Sequence, residues 1–392
     1  MDILVSGAGI AGPALAHCLH AHGHRVTVVE RAPAPRPGGW AVDFRGRVHL
    51  GVLERTGLLP LLRPHATRTG DLAVVDAAGR RVATMPAAVF SGDLEILRGD
   101  LSRVLIDATR GHTRYTFGIR ISSLAQDPSG VDVTFDDGST GRFDLVVGAD
   151  GLRSAVRRLA FGDDPGVLRP LGLHGCVFTV PGSLSLPDGA LYTEPGRSVT
   201  VASPHGRDGV VQLFFTHSQQ VYRRERATVA AAFQGAGWRV AELLDAMAAT
   251  EDWWFDEATQ VVLDRWSSGR VVLLGDAAHA AGPGGNGTGL AVVGAYVLAS
   301  ELARSTPSAL PAALERYEAV MRPYAATCQR QAAGGAAFLA PATARQIAQR
   351  DRFFRMMGGL PPLRRLFSWM ATRTATAVRL PDYEWPGSHV VA

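Results

Sequence analysis

The order of apolar and polar positions divides the chain into segments before any single residue is weighed. The run Ile3-Leu4-Val5 within Asp2–Ser6 predicts a buried strand that ends in a glycine loop. Pro13, Leu15, Ala16 and Leu19 then recur at helical spacing as far as Gly23, a C-cap residue. Arg25–Glu30 reads as a second buried strand, so the first thirty residues make one βαβ unit. Pro33–Gly39 is a loop by composition. A helix is predicted over 46–62, strands near Leu72–Asp76 and Arg81–Ala83, and a helix over Leu97–Thr109.

From Tyr115 to Phe143 the period shortens to two, with turns at Pro128-Ser129-Gly130 and Asp136-Asp137-Gly138, which predicts antiparallel hairpins. Leu145–Gly148 reads as another buried strand. Residues 170–265 are strand-rich and hold most of the aromatics, with Val211, Leu213 and Phe215 on one face of a strand. A core strand returns at Arg270–Leu274, followed by a second glycine loop and a helix from about Gly289. The rest, to about Arg379, is expected to be mainly helical. The fold class is therefore α/β: a parallel sheet with helices, an interleaved β-sheet domain, and a C-terminal helical segment. The expected boundaries are 1–72, 97–170 and 266–330 for the first domain, 73–96 and 171–265 for the second, and 331–392 for the helices.

Composition narrows the class. With 392 residues, 46% hydrophobic and 19% charged, the chain has the make-up of a globular enzyme. All 40 basic residues are Arg, scattered among 36 acidic ones with no stripe longer than Arg223-Arg224-Glu225-Arg226. That scatter argues against nucleic acid as a partner. Cys18, Cys176 and Cys328 are distant from one another and form no CxxC pair, so neither a disulfide framework nor a metal site is expected. The N-terminus enters a strand directly, and no apolar run reaches the roughly 18 residues of a membrane span. A cytoplasmic protein without stable membrane association, monomeric or homodimeric, is the expectation.

Three motifs carry chemistry. Gly7-Ala8-Gly9-Ile10-Ala11-Gly12 follows a strand and opens a helix, so glycines permit the turn while the helix N-terminus offers N–H groups to a pyrophosphate. Glu30, followed by Arg31, ends the next strand, where a ribose-binding carboxylate is expected. Gly275-Asp276, with Pro283-Gly284-Gly285-Asn286-Gly287 downstream, forms a second glycine-rich strand-to-helix junction some 270 residues later. Two such junctions suit a long ligand held at two places. Asp276 can accept a hydrogen bond from a ribityl hydroxyl, and the amides of Gly285–Gly287 can face the pyrimidine end of a flavin. The third motif is Asp150-Gly151, within Gly148–Arg157, again a strand end entering a helix.

These three elements, in this order, resemble the class A flavoprotein monooxygenases, the family of para-hydroxybenzoate hydroxylase. The likeness is to an actinobacterial branch of polyketide-tailoring and tetracycline-modifying hydroxylases, and it covers roughly residues 1–330. It implies a Rossmann-type FAD-binding domain, FAD as cofactor, and NADPH or NADH with O2 as co-substrates. It also implies hydroxylation of a small aromatic, polyketide-type substrate through a flavin C4a-hydroperoxide. Carried over by position, Gly7, Gly9 and Gly12 hold the pyrophosphate, Glu30 the ribose, and Asp276 with Pro283–Gly287 the ribityl chain and ring. Asp43 and Arg45, within Gly38–Gly46, match a loop with an FAD-contacting Arg, and Arg98 matches a second one. Asp150 and Gly151 fall where FAD and the nicotinamide are organised. The chain departs from the family after Gly287, where Thr288-Gly289 stands in place of Asn-Gly.

No residue is assigned as catalytic base. Phe178, Tyr192, Phe214, His217 and Pro283 are the candidate substrate contacts. His174, His205 and His217 are read as solvated or satisfied side chains, and His279 as structural. Trp253-Trp254-Phe255 fits either a stacking wall or packing between lobes. Phe353-Phe354 and Met356-Met357, with Leu366-Phe367-Ser368-Trp369, are expected to pack on their own domain or cap a pocket. Tetracycline inactivation, a flavin-dependent reductase and a flavin-binding protein without turnover are the alternatives. The Trp-rich segment and channel lysine of flavin halogenases are both missing, since the chain has no Lys.

Overall fold

The computed structural model describes all residues except 183, 185, 187, 204–207, 217–224, 360–371 and 387–392. The uninterrupted apolar runs become central strands because both faces of their sheet are covered. Asp2–Ser6 (β1) pairs in parallel with Arg25–Glu30 (β2) on one side and with Leu145–Gly148 on the other. Thr113–Phe117 and Val271–Leu273 extend this sheet in parallel, and Ser267–Ser268 closes one edge antiparallel. Helix Ala11–Ala21 (α1) packs against helix Gly287–Ala303. The latter is buried on nearly every side, which is why its sequence has no polar face.

The alternating segments form the other sheets. Ile121–Asp127, Gly130–Phe135 and Thr140–Phe143 make the predicted antiparallel meander. A seven-stranded sheet runs in the order Trp253–Val261, Leu168–Val180, Gly209–Thr216, Arg197–Ala202, Ala190–Glu194, Leu72–Val75, Arg81–Met85. One face of it buries Val211, Leu213 and Phe215 under helices Arg226–Ala232 and Val240–Ala249. A two-stranded ribbon, Ala41–Phe44 with Leu94–Leu97, joins the sheet domains.

Two expectations change. The helix predicted over 46–62 is broken: Gly46–Arg55 ends, Gly57 takes φ +72°, and a short turn Leu59–Leu62 follows. The C-terminal segment is also not helical throughout. After helices Gly335–Leu339 and Ala344–Gly359, the residues around Tyr383 run non-helically along the first domain. There Tyr383 Oη donates to Glu301 Oε1 at 2.8 Å, and Trp385 packs on Tyr296. Phe354 and Met357 are buried against Leu72, Val74, Met85 and Leu191, so this helix caps the second sheet. Residues Leu366–Trp369 lie outside the described residues. Among the described residues, no helix is long and apolar enough to cross a membrane, and no cluster of His, Cys, Asp or Glu could hold a metal.

Candidate functional site

Three adjacent parallel strands bring the three motifs to one carboxyl edge, where open α/β sheets bind their ligands. The first loop fits there only as glycine. Gly7 has φ +113°, and a Cβ on it would lie 2.4 Å from the Ala149 carbonyl oxygen. A Cβ on Gly12 would lie 1.9 Å from the Gly7 oxygen. Helix α1 begins at Ala11, after Ile10, without a side-chain cap or an acidic residue in its first turn, so an anion can take its N–H groups. Ser102 Oγ donates to the Gly9 carbonyl at 3.0 Å and fixes the loop from below. Glu30 Oε2 accepts from Ala8 N at 2.9 Å and Oε1 from Ala32 N at 2.9 Å, pinning the carboxylate beside the loop. Arg31 is exposed next to it.

The second junction touches the first. Gly275 has φ +64°, and a Cβ there would meet Ala11 Cβ at 3.0 Å. Asp276 is solvent-exposed only as a cleft wall can be: protein mass around it still raises its carboxyl pKa by desolvation, while the Arg98 charge pulls it down. Burial likewise lowers the Arg98 pKa, opposed by Asp276 and Glu30. The Arg98 amide donates to the Trp40 carbonyl at 2.9 Å, and its side chain runs past Gly39 and Gly9. Its guanidinium has no hydrogen-bond partner among the described residues. Asn286 adopts the left-handed region at φ +54°, and its buried Nδ2 also lacks a partner. A Cβ on Gly287 would reach to 3.9 Å of Asp276 Oδ1, and one on Gly285 would meet Ala281 Cβ at 2.7 Å. Pro283 is half-buried in the same loop, its carbonyl close to Gly335. A glycine cradle, two helix N-termini, an unpaired guanidinium, a carboxylate and an orphan amide donor match the diphosphate, polyol and ring edge of FAD.

Other motif residues work inside the protein. Asp150 accepts from Ser154 Oγ and from Ala155 N at 2.7 Å, so it caps helix Ala155–Phe161; burial raises its pKa, opposed mainly by the Ser154 bond. Gly151, at φ +79°, forms the turn, and Arg157 ties that helix to the Ala277 carbonyl at 2.9 Å. Arg45 is ion-paired with Asp43 and donates to the Ala88 carbonyl at 3.2 Å. Its amide donates to His49 Nδ1 at 3.0 Å. His49, held at about 4 mainly by burial, fills the space where a Gly289 side chain would go. His279 is buried against Trp266 at 4.6 Å, its pKa also pushed down to about 4 by desolvation.

A cavity lies on the inner face of the seven-stranded sheet. The ribbon residues Ala41 and Leu97 form one side, and helix residues Phe338, Leu339 and Arg350 roof it. Leu191, Thr200, Gln212 and Phe214 form the sheet wall. Trp40 stacks on Phe214 at 5.1 Å and connects this wall to Arg98. Side chains alternate along a strand, and that parity separates the candidates. Phe214 lines the cavity, whereas Phe178 and Tyr192 lie in the core on the outer face; neither reaches the cavity, contrary to expectation. His217 and His205 lie outside the described residues. His174 packs between Phe215 and Phe255, and Trp254 sits under Arg36 at 5.5 Å, a contact between lobes. Gln212 and Thr200 were missed although the pattern held the signal: once Val211, Leu213 and Phe215 face the core, Gln212 and Phe214 face the other way. Arg350 belongs to no motif.

An FAD-binding domain family matches residues 1–332. An uncharacterised protein of Mycobacterium tuberculosis is 41% identical over 314 residues, covering 76% of this chain and 84% of that protein. A flavin-dependent monooxygenase from an unknown prokaryotic organism is 35% identical, covering 82% and 86%. The crystal structure of tetracycline destructase Tet(51) superimposes with a TM-score of 0.83 at 30% identity, covering 97% of this chain and 99% of that one. Cradle, cleft and relatives agree: the chain belongs to the FAD-binding domain family, in the class A flavoprotein monooxygenase branch of para-hydroxybenzoate hydroxylase.

Proposed function

We propose that this protein uses NAD(P)H and O2 to hydroxylate an aromatic, polycyclic polyketide-type molecule bound in the cavity beneath helix Ala344–Gly359. The observation that carries this reading is the cavity's position, walled by the ribbon that leads directly into Arg98. FAD, when bound, supplies hydride acceptance and oxygen activation. The chain's own residues bind, orient and exclude water. In this reading the Gly7–Gly12 amides hold the pyrophosphate and Glu30 the adenosine ribose. Asp276 takes a ribityl hydroxyl, Arg98 balances negative charge, and the amides of Gly285–Gly287 meet the ring edge. Arg31 stands at the exposed edge of the same site, Asp43 and Arg45 support it from within the protein as an ion pair, and Pro283 marks the boundary between ring and substrate. The apolar walls keep the reacting carbon dry.

Likeness to a tetracycline destructase favours a second, narrower reading, inactivation of tetracycline-type antibiotics by hydroxylation. Both are tested by the absorbance spectrum of the purified protein, followed by NADH and NADPH consumption with phenols and tetracyclic polyketides. Two flavin bands with substrate-stimulated oxidation support the monooxygenase. Flavin without any stimulation across the panel points instead to a reductase or a binding protein. Product mass 16 Da above tetracycline, roughly one oxygen atom, selects the narrower reading.

A further inference from the structure

Some polar groups in the cavity are already engaged. Ser198 Oγ donates to the Leu339 carbonyl at 2.5 Å, and Glu95 accepts from Thr67 and Thr69. Arg350 is different. It is 9% exposed and lines the cavity; Nη1 donates to the Phe338 carbonyl at 3.3 Å and Nη2 to Thr193 Oγ1 at 2.8 Å. Nη2 also meets Asp351, which does not line the cavity, at 3.3 Å. Its buried Nε has no partner. A buried N–H left this way is costly, and an acceptor that reaches it from the cavity relieves that cost.

The sheet register sets what stands beside it. Thr193 pairs with Ser198 and Ser198 with Phe214; two residues along, Leu191 pairs with Thr200 and Thr200 with Gln212. Arg350, seated on Thr193, is therefore one row from Thr200 and Gln212 on the same face. The side chains of both have no hydrogen-bond partner among the described residues. Phe90, Phe338 and Phe214 supply flat apolar surface around them.

We propose that Arg350 Nε, with Gln212 and Thr200, recognises an anionic oxygen edge on a planar conjugated substrate: a carboxylate or the enolate of a 1,3-dicarbonyl. This rests on the reading of the cavity as the substrate site. A guanidinium N–H to a buried oxyanion is a charge-assisted bond, and its loss weakens binding roughly tenfold to hundredfold. Asp351 meets Nη2 alone and leaves Nε unpaired.

The test is equilibrium titration of FAD-loaded protein, followed by calorimetry and by perturbation of the flavin absorbance. Anthraquinone-2-carboxylate, its methyl ester and tetracycline, which carries an enolised 1,3-dicarbonyl, are the probes. The expected result is that at least one anion loses tenfold or more in Arg350→Met, while the ester's affinity and the flavin content stay the same. Loss for the anthraquinone acid assigns the carboxylate, and loss for tetracycline assigns the enolate. Gln212→Leu, which leaves the helix untouched, lowers the same anion's affinity several-fold and carries the test if Arg350→Met does not fold. Unchanged anion affinity in the variants, or no binding by any probe, overturns the proposal. Failure of the monooxygenase reading shows separately, as probes that bind through Arg350 without raising NAD(P)H oxidation.

Discussion

At the residue scale, Asp276 and Arg98 oppose each other's burial, and a ligand that hydrogen-bonds both relieves that conflict. Asp276→Ala is expected to weaken FAD retention by about 1–3 kcal/mol, read from flavin content after dialysis. Full retention would remove Asp276 from the cofactor site. His49 and His279 are two of the groups that contribute to the response to acid. Both are held at about 4, so they stay neutral in the folded protein and take up protons on unfolding. Stability is complete above about 6.5 and is lost as pH falls towards 4, by roughly 3 kcal/mol for each. His279→Leu should therefore flatten the acid limb of the Tm–pH profile; an unchanged limb assigns the acid sensitivity elsewhere. Which histidines behave this way was not legible from sequence, because burial is a property of the assembled fold.

Between elements, one tight fit lies beside the second glycine loop. Helix Gly287–Ala303 starts against the ring of His49, and a Cβ on Gly289 would lie 2.1 Å from His49 Cε1. Gly289→Ala is expected to cost about 1–3 kcal/mol in the parent. In a His49→Ala background the same change should be neutral or stabilising, because helical Ala is favoured over Gly by about 1 kcal/mol. Urea melts of the four proteins give this coupling, and strict additivity would refute the contact. The strand-to-helix junctions themselves were legible, since Gly7 and Gly12 mark places where backbones meet and Gly275 one where helix α1 comes close. Asp150 was legible as a motif but not in its work as a cap, which depends on Ser154 folding back onto it.

Across the whole molecule, the C-terminal helix roofs the cavity by burying Phe354 and Met357 against strands from two distant parts of the chain. Phe354→Ala is expected to cost about 3–5 kcal/mol at this contact. It should speed limited proteolysis between 340 and 360 and weaken substrate stimulation, while flavin content is kept. Equal loss of flavin would mean that the two sites fold as one unit. The sequence by itself determined the parallel sheet, the three glycine-bearing loops and the cofactor class, because strand runs, glycine turns and helix starts are local and their order fixes one edge of a sheet. It also set the alternation of Gly209–Thr216, and with it the split between Phe214 and Phe215. Tertiary structure decided which face of that strand lines the cavity and which meets core. It alone turned Phe178 and Tyr192 away, sealed His279, and brought Arg350 over Thr193 from 157 residues along the chain. Local pattern specifies a face; only packing specifies what that face touches.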